Sequence, residues 1–510
     1  MTPLLLERRF LTDYARNGTN LLLLAIVPVT FVLLAAPRLA GYAALMGAAQ
    51  AGPGVETVTA GWAAGFLTGI AMYFQVASSR AGDRRLVVAG QSRARLAGAR
   101  LLAGAALAAL ATGAAVAALG LRQGLDRPVP TIIGTAMFAV VYLAIGAAVG
   151  ALVPTPVNGT VLLLFVWILD VFFGPAVSGS TSAVLRLLPT HFISLWIVDR
   201  PPGHGGPGAL AWSVAWVAAA LAIAYVIVTV GSAPHRSRAD TDRPDQLQVA
   251  VLMGLKDWRR TPLLWLLLAA VPAVFILLAD VITPPGSTPV LVRENGLQVT
   301  QVMDPAVIHS GTMAPEAIAS LAALVGVFVV LDARAGDRRL VLAGQRVLVA
   351  VASRMILVML AAVLVSLASL AVTATVFTAD QWLVYGLGGV VLALTYGLVG
   401  MLLGPVLGRV SGVFLAFLLP FVDLGLGQSP MLGGEPTRWS RWMPGYGGMR
   451  VLIDGGLTAG FDETASLAIA VIWLLLLGAA VVLMLMRTLK VQGRHAGAGR
   501  LKGRDVVSPH

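Results

Sequence analysis

The chain has 510 residues, of which 58% are apolar and only 12% charged, where an ordinary soluble domain carries roughly 25% charged residues. That balance excludes both a soluble globule and a disordered chain. The lack of cysteine excludes disulfides, thiolate metal sites and cysteine nucleophiles, and a formal charge of +12 marks either a nucleic-acid face or a membrane orientation.

A hydrocarbon core about 30 Å thick is crossed by roughly 20 apolar helical residues. In chain order such stretches fall at about 17–37, 57–79, 101–121, 129–153, 157–175 and 208–231, then at 261–280, 315–331, 354–377, 382–405, 410–426 and 465–486. The expected fold is an all-α polytopic membrane protein with twelve transmembrane helices. The segment 315–331 is the shortest, because Glu316 and Asp332 bound it. It is expected to be short or tilted, or to set Glu316 at the outer interface. Thr2–Arg16 and Asp245–Arg260 mix Leu and aromatics with Arg, as a helix lying in the interface does. Between the two groups of six spans, Ser232–Asp245 reads as a solvated linker, and the Gly- and Arg-rich tail from Arg487 as a disordered segment attracted to anionic lipid.

With the N-terminus in the cytoplasm, 27 of the 36 basic residues fall on the cytoplasmic side of this layout and 9 outside. The positive-inside rule predicts such a bias, so the charge reads as an orientation marker and not as a nucleic-acid footprint. Both termini are then expected in the cytoplasm. The scarcity of Lys beside the Ala and Gly excess points to a GC-rich bacterial genome, and hence to a bacterial inner membrane.

Self-similarity organises the chain. Arg80–Gln91 recurs as Arg334–Gln345, 254 residues later, with a single Val-to-Leu difference at Val88 and Leu342. Tyr142 and Tyr396, Gly150 and Gly404, and Asp170 and Asp423 keep nearly the same offset, whereas the opening segments are offset by 244. The first outer loop of the second half is therefore expected to be about ten residues longer. The domains are 1–231 and 245–486, two parallel six-helix halves joined by the linker 232–244 and followed by the basic tail 487–510. Parallel repeats of this kind are related by an axis along the membrane normal.

No G-x-x-x-x-G-K-[ST] phosphate loop, H-E-x-x-H or G-x-S-x-G occurs. No enzyme active site is visible. No cofactor or metal is expected on the chain. The most specific feature is the duplicated loop between spans two and three: Gly82, Asp83, Arg84, Arg85 and Gln91, repeated as Gly336, Asp337, Arg338, Arg339 and Gln345. It reads as a short helix with an acidic first turn and a glycine exit at Gly90 or Gly344, shaped to meet a partner. Asp170 and Asp423 sit toward the outer part of the fifth span of each half. They serve either as the outer end of a substrate path or gate, or as caps of helix breaks. Tyr142, Tyr396, Phe165 and Trp167 are candidate lining residues of an apolar path. The stripes Gly146/Gly150 and Gly397/Gly400/Gly404 suit close helix approach.

In this layout the chain resembles permeases of the ABC-2 type, which have the type V exporter fold. The matching features are the interfacial connecting helices (Asp13 and Arg16, Asp257 and Arg260), the loops Gly82–Gln91 and Gly336–Gln345 in the place of coupling helices, and the outer segments Leu185–Trp196 and Trp439–Ile453. The resemblance implies ATP-driven export of a hydrophobic or amphiphilic substrate, drug-like or lipid. It also implies two copies of an ATPase subunit (or a heterodimer), which carry the ATP and Mg. The alternative is a twelve-helix secondary transporter of the major facilitator class. Its loop pattern is met by Gly82-Asp83-Arg84-Arg85 but not by the Leu86-Val87-Val88 that follows.

Overall fold

The structure is a computed structural model that describes residues 10–12, 14, 18–45, 52–153, 155–177, 183–198, 207–230, 251–252, 255, 262–432 and 435–502. The connecting-helix residues Asp13, Arg16, Asp257 and Arg260, and the linker 232–244, lie outside the described residues. The chain is mostly helical, as its apolar composition requires: in hydrocarbon, backbone groups must be satisfied within the segment. The helices of the first part are α1 (Gly18–Leu45), α2 (Gly52–Val88), α3 (Arg93–Gln123), α4 (Pro128–Leu152), α5 (Pro156–Phe173), the short α6 (His191–Val198) and α7 (Pro207–Val230). Those of the second are α8 (Pro262–Ile282), α9 (Pro305–Thr312), α10 (Ala314–Leu342), α11 (Val347–Thr373), α12 (Trp382–Pro420), the short α13 (Tyr446–Leu457) and α14 (Thr464–Lys502).

Among the described residues, ten helices are long and apolar enough to cross a membrane, and α8 adds a shorter apolar stretch, Leu266–Val281. The helix running from Trp382 is broken at Gly408, where φ is 78° and ψ −170°. A Cβ on Gly412 would stand 3.8 Å from the Cα of Gly404. Eight residues of straight helix would hold these positions about 12 Å apart, so the chain turns back at Gly408. The glycine is required there, because an L side chain rarely adopts that backbone.

Three sequence expectations are corrected. The fold is not purely helical: strands β1 (Thr288–Glu294) and β2 (Leu297–Met303) form an antiparallel hairpin that pairs Glu294 with Leu297 across Asn295-Gly296, both at positive φ. Asn-Gly is the strongest short hairpin signal, and the hairpin fills the longer loop of the second half. The segment at 315–331 is not short, because α10 continues to Leu342 and holds Glu316 in its first turn. The tail is not wholly irregular, since α14 runs to Lys502 through Leu, Lys, Gln, Arg and Ala, residues of good helix propensity.

Glycines set the closest helix contacts. A Cβ on Gly146 of α4 would fall 2.1 Å from the carbonyl oxygen of Gly69 in α2, and one on Gly400 of α12 would fall 2.0 Å from that of Ala323 in α10. The two contacts are equivalent at an offset of 254. One turn on, Gly150 faces the Tyr73 carbonyl at 2.8 Å and Gly404 faces that of Val327 at 2.9 Å. The small-residue stripes thus bring backbones together, as membrane helix pairs do. The two parts of the chain meet through rings. Phe66 lies 4.9 Å from Trp167 and 5.0 Å from Phe417, and Phe31 stacks on Phe421 at 5.5 Å. Ser411 also donates to Asn20 Oδ1 at 2.8 Å, which ties the turn after Gly408 to the start of α1.

Substituting Gly146 or Gly400 by Ala is expected to lower stability by about 1–3 kcal/mol or more, since the neighbour is backbone and cannot yield. The check is thermal unfolding in detergent, with Gly113→Ala as control. No atom lies within 4 Å of a Cβ added at Gly113, so that change should be neutral or slightly stabilising.

Candidate functional site

The repeated loop is not a separate short helix. Helices α2 and α10 run straight through it to Val88 and Leu342: no proline interrupts Arg80–Val88, and the helix tolerates Gly82 and Asp83. The helix-dipole expectation is therefore inverted: Arg85 and Arg339 occupy the last turns, where cations are favoured, and the aspartates stand near an end that disfavours them. The glycine exits are as expected. Gly90 and Gly344 have φ of 90° and 102°. Gly90 N–H donates to Val87 O and Gln91 N–H to Leu86 O, at 3.0 and 2.9 Å, and Gly344 and Gln345 bond likewise to Val341 and Leu340. These are paired bonds of the Schellman type, which satisfy the last carbonyls of a helix.

The aspartates are held instead by arginines of the next helix. Arg100 of α3 donates from Nε to Asp83 Oδ2 at 2.7 Å and from Nη2 to Oδ1 at 2.6 Å. Arg354 of α11 grips Asp337 in the same fork, at 3.0 and 2.5 Å. Both aspartates are buried. A buried pair of this geometry specifies an arrangement more than it adds stability. It clamps α2 to α3, and α10 to α11, at the point where each hairpin turns. Phe10 lies under Arg100, with its ring centroid 4.1 Å from the guanidinium carbon, so the N-terminal stretch touches the same clamp.

The motif therefore divides by face. Its aspartate points inward and fixes the hairpin, while Arg85, Arg338 and Arg339 are exposed and Arg84 is half-buried. None of these four has a hydrogen-bond or ion-pair partner among the described residues. Gly82 and Gly336 are exposed, with nothing within 4 Å of an added Cβ, and Gln91 and Gln345 are half-buried. Arg80 is turned away from this surface and caps the end of α4, donating to the carbonyls of Gly150 and Val153.

At the far end of the bundle each of the second pair of aspartates accepts three hydrogen bonds. Asp170 accepts the Tyr142 hydroxyl at 2.9 Å, the Thr190 hydroxyl at 2.5 Å and the Thr190 N–H at 3.3 Å. Asp423 accepts the Tyr396 hydroxyl, Gln428 Nε2 at 2.6 Å and the Gly445 N–H at 2.8 Å. Thr190 immediately precedes α6, and Gly445 immediately precedes α13. Each aspartate thus seats the start of a short helix on the end of a long one, which is a capping role with both carboxylate oxygens bonded. Tyr142 and Tyr396 are buried, and their hydroxyls are spent on these bonds. Trp167 is buried in the ring cluster, with Nε1 donating to Trp62 O at 2.8 Å, and Phe165 is half-buried against the main hydrophobic core. Arg450 of α13 closes this end by a buried ion pair, Nη2 to Glu463 Oε1 at 2.9 Å, and reaches the hairpin at Leu291 O. Burial pushes Asp454 of α13 above the usual carboxylate range, against the bonds it accepts from Asp462 N and Thr458.

Sequence reasoning did not find Arg100 and Arg354. The signal was present: both follow their aspartates by 17 residues and are themselves 254 apart. Among the described residues no group of three or more His, Asp or Glu is placed to hold a metal ion. Neither protein-family models nor curated proteins give a match to this chain.

Removing one partner of the clamp strands a buried charge, at a cost of about 3–5 kcal/mol. Arg100→Met and Arg354→Met should each lower the unfolding temperature in detergent. Adding Asp83→Leu or Asp337→Leu to the matching variant should restore most of the loss. A double variant no more stable than its single parent would refute the clamp.

Proposed function

We propose that the chain is the membrane-spanning permease of an ATP-driven exporter of the ABC-2 type, in a bacterial inner membrane with both termini in the cytoplasm. The observation that carries this reading is the division of the repeated motif: an aspartate locked inward by an arginine 17 residues on, and beside it arginines with no partner among the described residues, exposed at Arg85, Arg338 and Arg339 and half-buried at Arg84. A rigid hairpin tip with free cations is what a docking partner with acidic grooves requires. On this reading the break at Gly408 separates two spans and α8 supplies another. The twelve spans then form two parallel halves of six, related by an axis along the membrane normal. Recurrence of the glycine contacts, the aspartate clamps and the Tyr–Asp caps at offsets of 253 or 254 supports that symmetry. The short helices α6 and α13 lie where the resemblance implies outer-loop helices.

Two ATPase subunits, which carry ATP and Mg, would each meet one tip. Their closure on ATP would press α2 against α3 and α10 against α11 through the clamps, and so bias the ring-packed interface between the halves. The partner shifts this equilibrium only by binding one state better than the other. The sparsity of charge in the spans suits a hydrophobic or amphiphilic substrate.

The test is co-purification of the chain with an ATPase encoded beside it. Charge reversal at Arg84, Arg85, Arg338 and Arg339 should abolish docking and chain-stimulated hydrolysis while leaving the unfolding temperature within a degree or two. Undiminished docking by that variant would contradict the coupling role. Transport driven by an ion gradient without any ATPase would favour the facilitator class.

A further inference from the structure

Glu316 is a carboxylate set between the packed helices at a half-buried position. It sits in the first turn of α10, and the repeat places Trp62 at the equivalent position of α2, so the charge belongs to one half alone. Among the described residues nothing hydrogen-bonds or ion-pairs with it, whereas Asp83, Asp170, Asp337, Asp423 and Glu463 are all paired. It faces a cavity between the two parts of the chain. Tyr42 and Phe172 line one side, and Met313, Phe421 and Met431 the other. The carboxylate lies against Gly425 in the π-helical turn Phe421–Leu426, where an added Cβ would come within 2.9 Å of it. Such turns recur at functional sites.

Of the other polar groups that line the cavity, Ser429 adds a neutral hydroxyl, and Tyr42 and His309 are bonded to each other. Thr283 donates to Ala279 O at 2.6 Å, so its hydroxyl accepts from Nδ1–H of His309, also at 2.6 Å. Nε2 of His309 then accepts the Tyr42 hydroxyl at 3.2 Å. His309 is thereby a neutral imidazole with both nitrogens used, and it offers Glu316 no counter-charge. A calcium or magnesium ion would want six or more oxygens, and beside Glu316 this lining is mostly rings, thioethers and aliphatic side chains, with one hydroxyl at Ser429. An organic ammonium is different: weakly hydrated, it is satisfied by one carboxylate together with aromatic faces and polarisable sulfur.

We propose that Glu316 and the rings around it form the recognition site for the positively charged head of an amphiphilic substrate. The inference rests on the permease reading and narrows its substrate to cationic amphiphiles. A second void shares Tyr42, Phe172, His309 and Met313 and leads toward Phe275 of α8, which gives the apolar body a direction. In the present state the space beside Glu316 is about 20 Å³, room for one water, so the head enters when the halves part. That opening reduces the apparent affinity of every ligand by the same factor. A ratio of two affinities is therefore free of it.

The experiment compares a fluorescent alkyl-trimethylammonium probe with its uncharged tert-butyl isostere, each titrated against the purified full chain in uncharged detergent. Wild type should prefer the cation by about tenfold, the scale of one desolvated ion pair with ring contacts. Glu316→Gln should erase the preference and leave binding of the neutral probe unchanged. Gly425→Ala, whose methyl displaces the flexible carboxylate without touching its charge, should reduce it. Equal binding of both probes by wild type, no binding of the cation, or full preference in Glu316→Gln would each overturn the site. Because no ATPase is present, failure of docking leaves this result standing, and failure here leaves the coupling loops to their own test.

Discussion

A carboxylate inside an apolar bundle must find donors or be lost as a charge, and that constraint organises the molecule. Desolvation costs several kcal/mol per ion, so each buried acid is drawn to a specific partner. Because the partner stands on another element, each pairing joins two pieces of chain. Asp83 and Asp337 join successive long helices through Arg100 and Arg354. Asp170 and Asp423 seat the short helices α6 and α13. Glu463 binds α13 to α14 through Arg450. Dispersion and glycine contacts hold the helices close, but these acids decide which register and which loop geometry the close packing takes.

The same constraint gives the two ends different character. At the arginine-rich end the acid is inside and the surplus cations face outward, leaving two stiff, positively charged tips. At the far end the acids consume the backbone donors of short helices and leave a capped, nearly neutral lid. Between them the ring cluster of Phe31, Phe66, Trp167, Phe417 and Phe421 packs the first part of the chain against the second. Glu316 stands just beyond that cluster, and among the described residues it has no partner, unlike the buried aspartates.

Helices were legible because apolar runs of this length have few other solutions, and the glycine stripes and the exits at Gly90 and Gly344 were legible because only glycine suits those places. The local shape of the repeated loop was misread. Asp83 looks like a helix start when its own turn is considered alone, and only Arg100, 17 residues away on another helix, explains an acid near a helix end. The roles of Asp170 and Asp423 were undecidable for the same reason, since Thr190 and Gly445 carry no signal in their own types. Glu316 was visible as an anomaly of charge, but its side chain's direction depends on packing between halves. The β-hairpin is announced in the sequence only by Asn295-Gly296, a two-residue signal inside a loop whose extra length alone does not specify strands.

The account rests on both clamped tips facing one side of the membrane and both capped ends facing the other. The chain has no cysteine, so single cysteines report without a background. Arg85→Cys and Arg339→Cys should be silent to an impermeant maleimide in intact cells and react in inverted vesicles, while Arg186→Cys and Arg441→Cys, both at exposed positions, should do the reverse. Labelling of positions 85 and 339 from opposite sides would make the halves antiparallel and contradict the account.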